Sequence, residues 1–133
     1  MKKWSLLFLA VVVLTSLSAC GGGASTTINV TLAEFSFTPS EFTIPAGKEI
    51  TVNAVNNGAV THDFILMKLG KNVTGDFTDA DKPNIYWKLE AAPGSTVTGT
   101  FTAPMEPGVY QIVCGVPGHF MAGMSGKLTV VVP

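Results

Sequence analysis

The chain has 133 residues, 47% of them hydrophobic and only 13% charged, a balance that suits one small domain with a buried core and excludes disorder. The formal charge is −1, with no Arg at all, and discounting Lys2 and Lys3 leaves six Lys against nine Asp and Glu, a net of −3. An acidic chain without Arg or a basic stripe has neither the electrostatic footprint nor the base-reading side chain that nucleic-acid binding requires.

In chain order, residues 1–19 read as an export signal. Lys2 and Lys3 form its positive start and Leu6 to Leu14 its apolar run, which is too short for the ~20 residues that span a bilayer. Leu17-Ser18-Ala19-Cys20 resembles the bacterial lipobox. That resemblance implies cleavage before Cys20, acylation of its thiol, and an exported domain tethered to a bacterial membrane, facing the periplasm or the cell exterior. Residues 20–27 are Gly-, Ser- and Thr-rich without apolar periodicity, so a flexible tether is expected. The chain has only two Cys. With Cys20 taken by lipid, Cys114 is the lone thiol of the folded domain, and such a thiol is a liability in an oxidising compartment unless a metal occupies it.

Residues 28–133 form the expected domain. Apolar residues alternate with polar ones at the period of half-buried strands in Ile28/Val30/Leu32, Phe35/Phe37, Phe42/Ile44, Ile50/Val52/Ala54 and Phe64/Leu66. The beat returns in Val97/Phe101, Tyr110/Ile112 and Leu128/Val130/Val132. Pro45-Ala46-Gly47, Asn56-Asn57-Gly58, Pro93-Gly94 and Pro107-Gly108 punctuate these runs as turns. The pattern predicts an all-β Greek-key sandwich or barrel. Lys68 to Asn84 interrupts it as a polar loop insertion outside the barrel, with room for a short helical turn. Its Asp76, Asp79 and Asp81 lack the spacing and central Gly of an EF-hand calcium loop.

The segment with chemistry is Tyr110 to Lys127. Cys114 ends one strand, Pro117-Gly118 turns His119 back toward it, and Met124 follows just before the last strand. A second imidazole comes from His62, at the start of an earlier strand, and the chain has only two His. One thiolate, two imidazoles and a weak axial thioether form a donor set that accepts both Cu(II) and Cu(I). A thioether is a poor zinc ligand, and structural zinc sites use more Cys. Met124, flanked by Gly123 and Gly126, is favoured as the thioether over Met121, which follows His119 so closely that both would crowd a metal from one side; Met121 stays as the alternative.

Through Cys114-Gly-Val-Pro-Gly-His-Phe-Met-Ala-Gly-Met-Ser-Gly126, with Phe35-Ser-Phe-Thr-Pro39 and Thr61-His-Asp-Phe64, the chain resembles the cupredoxin family of blue copper proteins, most closely its auracyanin and azurin-type carriers. The resemblance implies one type 1 copper per chain, held by His62, Cys114, His119 and Met124. It also implies a lipid-anchored one-electron carrier between respiratory or photosynthetic membrane complexes, and a monomer. Redox partners would dock on an apolar ring of Val116, Pro117, Gly118, Phe120 and Met121 around an exposed edge of His119. Asp63 stands where many relatives have Asn, so hydrogen bonds from backbone N–H groups near Gly115 are expected to end on a carboxylate. Val116, having an N–H where some relatives have Pro, is expected to direct it at the Cys114 sulfur.

A copper-delivery or storage lipoprotein is the rival binding function. A Cys-His enzyme lacks an evident orienting residue or oxyanion hole. A copper nitrite reductase would need more His, and a binuclear copper centre a second loop Cys; the chain has neither.

Overall fold

The structure, a computed structural model, describes residues 23–133. The export signal, Cys20 and the first residues of the tether lie outside the described residues. Nine strands follow in order: β1 (Thr27–Ala33), β2 (Ser36–Thr38), β3 (Glu41–Pro45), β4 (Glu49–Asn56), β5 (His62–Met67), β6 (Ile85–Ala91), β7 (Thr96–Thr102), β8 (Gly108–Val113) and β9 (Ser125–Val131), with one 3₁₀ turn, Lys82–Asn84, before β6. They form a four-stranded sheet, β2-β1-β4-β7, and a five-stranded sheet, β3-β9-β8-β5-β6. Each is mixed, since β1 runs parallel to β4 and β3 parallel to β9 while the other neighbours are antiparallel. This is the expected all-β sandwich.

Alternation does the sorting. In β1, Ile28, Val30 and Leu32 are buried while Thr27 and Asn29 are exposed; in β4, Ile50, Val52 and Ala54 are buried. They meet Phe64, Leu66, Ile112, Leu128 and Val130 of the other sheet in one core, the half-buried strand pattern of sandwiches.

β5 departs from alternation, with all six of its residues buried. Its outward residues Ile65 and Met67 form a second cluster with Val113 and Val73, flanked by Phe77, Ile85 and Phe120. Residues 68–84 therefore lie outside the sandwich, as expected, and are mostly exposed, with Val73 and Phe77 anchoring them to the outer face of the five-stranded sheet. The Gln111 amide clamps them: its Oε1 accepts from Val73 N at 2.7 Å and its Nε2 donates to Val73 O at 3.0 Å. The acidic residues there serve as caps and pairs. Asp81 accepts from Thr78 N and Oγ1, and Asp79 pairs with Lys82.

The sequence reading differs from the structure at two elements. β6 was not among the expected strands, although its Ile85, Trp87 and Leu89 are half-buried and alternate with exposed residues; it pairs along β5. Phe35 belongs to no strand. The register Ala33↔Ser36 leaves Glu34 and Phe35 as a two-residue turn between β1 and β2, and Phe35 takes a positive φ of 63°, which few non-glycine residues adopt.

Candidate metal centre

His62 is placed by a buried amide. Asn56, at the end of β4, is fully buried; its Nδ2 donates to Val60 O and Ala91 O, both at 2.8 Å, and its Oδ1 accepts from Gly58 N at 2.8 Å. All four hydrogen-bonding positions but one are thus occupied. The result is a tight bend over 57–61 that delivers His62, the first residue of β5, to one end of the sandwich.

The other donors come from the β8–β9 connection, which is held by its own backbone. His119 N donates to Val116 O at 3.1 Å, Met124 N to His119 O at 2.9 Å and Cys114 N to Met124 O at 3.3 Å. Gly118 and Gly123, at φ 82° and 108°, make the two reversals in a left-handed conformation that side-chain-bearing residues resist. The chain leaves β8 at Cys114, loops outward and returns at Met124 beside its starting point.

His62, Cys114 and His119 converge, with their donor atoms all within 4.8 Å of one another. Both imidazoles aim Nδ1 at the thiol: Cys114 Sγ lies 3.9 Å from His62 Nδ1 and 3.7 Å from His119 Nδ1. These separations are shorter than the about 4.3 Å that one metal–nitrogen and one metal–sulfur bond span end to end. One ion can therefore reach all three. Cys114, His62 and Met124 have no exposed surface, and His119 retains 8%. Met121 is 66% exposed, pointing away from the interior that takes in Met124.

Burial sets the protonation of the metal-free donors. It raises the Cys114 thiol above its ordinary pKa, opposed by the backbone N–H groups of Asp63 and Val116 that address the sulfur. It lowers the His62 imidazole, with His119 adding to the effect against the raising influence of Glu34 and Asp63. The imidazole is thus held in the neutral, ligating form, and a bound cation would displace the thiol proton.

Asp63 behaves differently from expectation. Its carboxylate meets Lys88 Nζ of β6 at 3.0 Å, rather than backbone N–H groups near Gly115. Gly115 instead makes room, since a Cβ there would fall 2.8 Å from Asp63 Oδ2. Burial pulls the Lys88 ammonium down in pKa, but Asp63 and Glu90 outweigh it and the net shift is upward. The negative charge that distinguishes Asp63 from Asn is thereby neutralised locally. Nothing near Lys88 in sequence announces this role.

The family model for copper-binding proteins of the plastocyanin/azurin family matches residues 24–131. The chain belongs to this family. As a cupredoxin it takes copper as its cofactor, and the cluster of His62, Cys114 and His119, with Met124 buried beside it, fits that metal in donor type and spacing. Among solved structures, it is similar to dithionite-reduced auracyanin from the photosynthetic bacterium Roseiflexus castenholzii, with 35% identity, a TM-score of 0.70, and coverage of 82% of this chain and 99% of that one. Auracyanin A, a "blue" copper protein of the green thermophilic photosynthetic bacterium Chloroflexus aurantiacus, is similar at 35% identity and TM-score 0.66, covering 82% of this chain and 100% of that one. Reduced rusticyanin follows at 26% identity and TM-score 0.59, with 82% of each chain covered. Comparison with curated proteins yields no match.

Around the cupredoxin site the structure adds residues that sequence reasoning missed. The Phe35 ring meets His119 edge-on, with centroids 5.2 Å apart and planes at 72°, and it is exposed together with Met121 and Val60. Glu34 lies on the other side, 3.8 Å from His62 Nε2. These turn residues are far from both histidines in the chain, and only the packing of the sheets brings them together.

Proposed function

We propose that this protein is a lipid-anchored blue copper carrier that moves single electrons between membrane-bound complexes, with copper held by His62, Cys114, His119 and Met124. The convergence of two imidazole Nδ1 atoms on one buried thiol carries the reading. Copper supplies the one-electron couple, through a donor set that serves both of its oxidation states.

The protein's own residues supply rigidity and access. Cys114, His62 and Met124 are fully buried, and the ligand loop is cross-linked by its backbone hydrogen bonds. Side chains so confined have little freedom to rearrange when charge changes, which favours fast exchange. His119 is the donor nearest solvent, and Phe35 and Met121 give its surroundings an apolar character suited to short-lived docking. All donors come from one chain, so a monomer suffices.

Stopped-flow mixing of the reduced protein with an oxidised cytochrome tests the carrier function. Rapid development of blue colour as the cytochrome is reduced, with copper retained, is the expected result. Slow exchange, or release of Cu(I) to a competing chelator during turnover, would instead mark a copper-delivery or storage protein.

The anchor rests on Leu17-Ser18-Ala19-Cys20. On expression in a bacterium that processes lipoproteins, the protein is expected in the membrane fraction, and Cys20→Ser should move it into the soluble fraction or leave it unprocessed. An unchanged distribution and mass would remove the anchor from the proposal.

A further inference from the structure

We propose that Glu34 is a positioning residue for His62, its carboxylate serving as acceptor for the Nε2–H of that imidazole and setting one negative charge beside the copper centre. The inference deepens the copper assignment and rests on it.

The first support is an orphaned atom. His62 Nε2 is buried and has no hydrogen-bond partner, while Nδ1 faces the Cys114 sulfur. An imidazole that ligates through Nδ1 carries its proton on Nε2, and such a proton is normally oriented by a carboxylate or carbonyl. Glu34 Oε1 lies 3.8 Å from it, within ion-pair range and the nearest carboxylate to that nitrogen, so a small shift of either side chain brings the two to hydrogen-bond distance.

Second, the carboxylate is held in place. Ala59 N donates to Glu34 Oε1, and Asn57 N donates to Leu32 O at 2.8 Å, so the turn carrying Glu34 is tied on both sides to the bend that delivers His62. Gly58 stands between them: a Cβ there would fall 2.5 Å from His62 Nε2 and 2.8 Å from Glu34 Oε1. Only glycine leaves the two side chains their approach.

Third, the turn is strained in a way that serves both imidazoles. Phe35 at φ 63° occupies a conformation that glycine would take at no cost. In that conformation its ring lies edge-on to His119 while the preceding residue reaches His62. Backbone strain retained at such a place points to a role in positioning.

The test uses the copper-loaded full chain, with two readouts: the midpoint potential, and the solvent exchange of the His62 Nε2–H followed by NMR in the diamagnetic Cu(I) form. Glu34→Gln keeps an acceptor and removes the charge, so the potential should rise, by about 59 mV for each tenfold shift toward the reduced state, with the proton still protected. Glu34→Ala should raise the potential and speed exchange at least about tenfold, and Gly58→Ala should speed exchange with Glu34 still present. Glu41→Gln, which removes a carboxylate paired with Lys127 on β9, should leave both readouts alone. Wild-type values in Glu34→Ala, or an equal potential shift in Glu41→Gln, would overturn the role of Glu34. A colourless wild-type protein would overturn the copper assignment itself, a failure that the variants cannot mimic.

Discussion

Cys114→Ser is expected to abolish the intense visible absorption of the copper protein. The colour of a blue site arises from charge transfer out of a thiolate, and Cys114 is the one free cysteine among the described residues. A serine hydroxyl does not ionise near neutral pH and is a hard donor, poorly matched to Cu(I). Two His and a thioether would still bind Cu(II), giving a pale protein with an ordinary spin-resonance spectrum. Affinity for Cu(I) should fall by more than about 100-fold, because loss of outer-shell partners alone costs about 10–100-fold. Visible and spin-resonance spectra with a Cu(I) competition titration measure the effect; a Ser variant that stays blue would dismantle the ligand assignment. A redox titration followed by the same visible absorption decides the thioether. Met124 is fully buried next to Cys114 while Met121 is 66% exposed, so Met124→Leu should raise the potential while keeping the blue colour, and Met121→Leu should change neither. The reverse pattern would transfer the thioether role to Met121.

The largest effect on stability is expected from Phe64→Ala. Phe64 is 1% exposed at the middle of the sandwich, and its ring meets Phe37 of one sheet and Phe42 of the other edge-on, with centroids 5.5 and 6.0 Å apart. Truncating a buried Phe removes its transfer free energy and leaves a cavity, about 3–5 kcal/mol together. The two aromatic contacts place this site toward the upper end, since each is worth about 0.5–1.5 kcal/mol beyond area. Domains of this kind have only about 5–15 kcal/mol of stability, so the loss is a large share of the total. Denaturant unfolding of the metal-free protein measures it, with Val109→Ala on the exposed face of β8 as the comparison, expected within about 0.5 kcal/mol of wild type. A cost below about 1 kcal/mol for Phe64→Ala would mean that the sheets close over the gap. Because Phe64 lies two residues beyond His62 on β5, copper binding should weaken in parallel.

Much of the fold is legible because strands that bury one face write that fact into consecutive residues. β1, β4, β8 and β9 all carry a period of two that needs no knowledge of the partner strand. β6 carries the same alternation, Ile85, Trp87 and Leu89 against Tyr86, Lys88 and Glu90, and is as legible in the sequence as the others although it is not among the expected strands. Residues 68–84 look solvated in sequence because polar residues dominate them. Their anchoring depends on Val73 and Phe77 finding Ile65 and Met67 on the outer face of a strand whose complete burial no local pattern announces.

The copper site divides along the same line. The sequence by itself determined the donor types and the short loop that joins three of them, because a thiol, an imidazole and a thioether at fixed spacing with glycines between are properties of the chain. Only the tertiary structure decided which methionine is enclosed, that Asp63 is answered by Lys88, and that Glu34 and Phe35 sit against the two imidazoles. These depend on strand order, which brings the β1–β2 turn and the β8–β9 loop to one end of two packed sheets. Contacts across such distances in the chain are set by the burial of whole sheet faces, and no window of neighbouring residues records them.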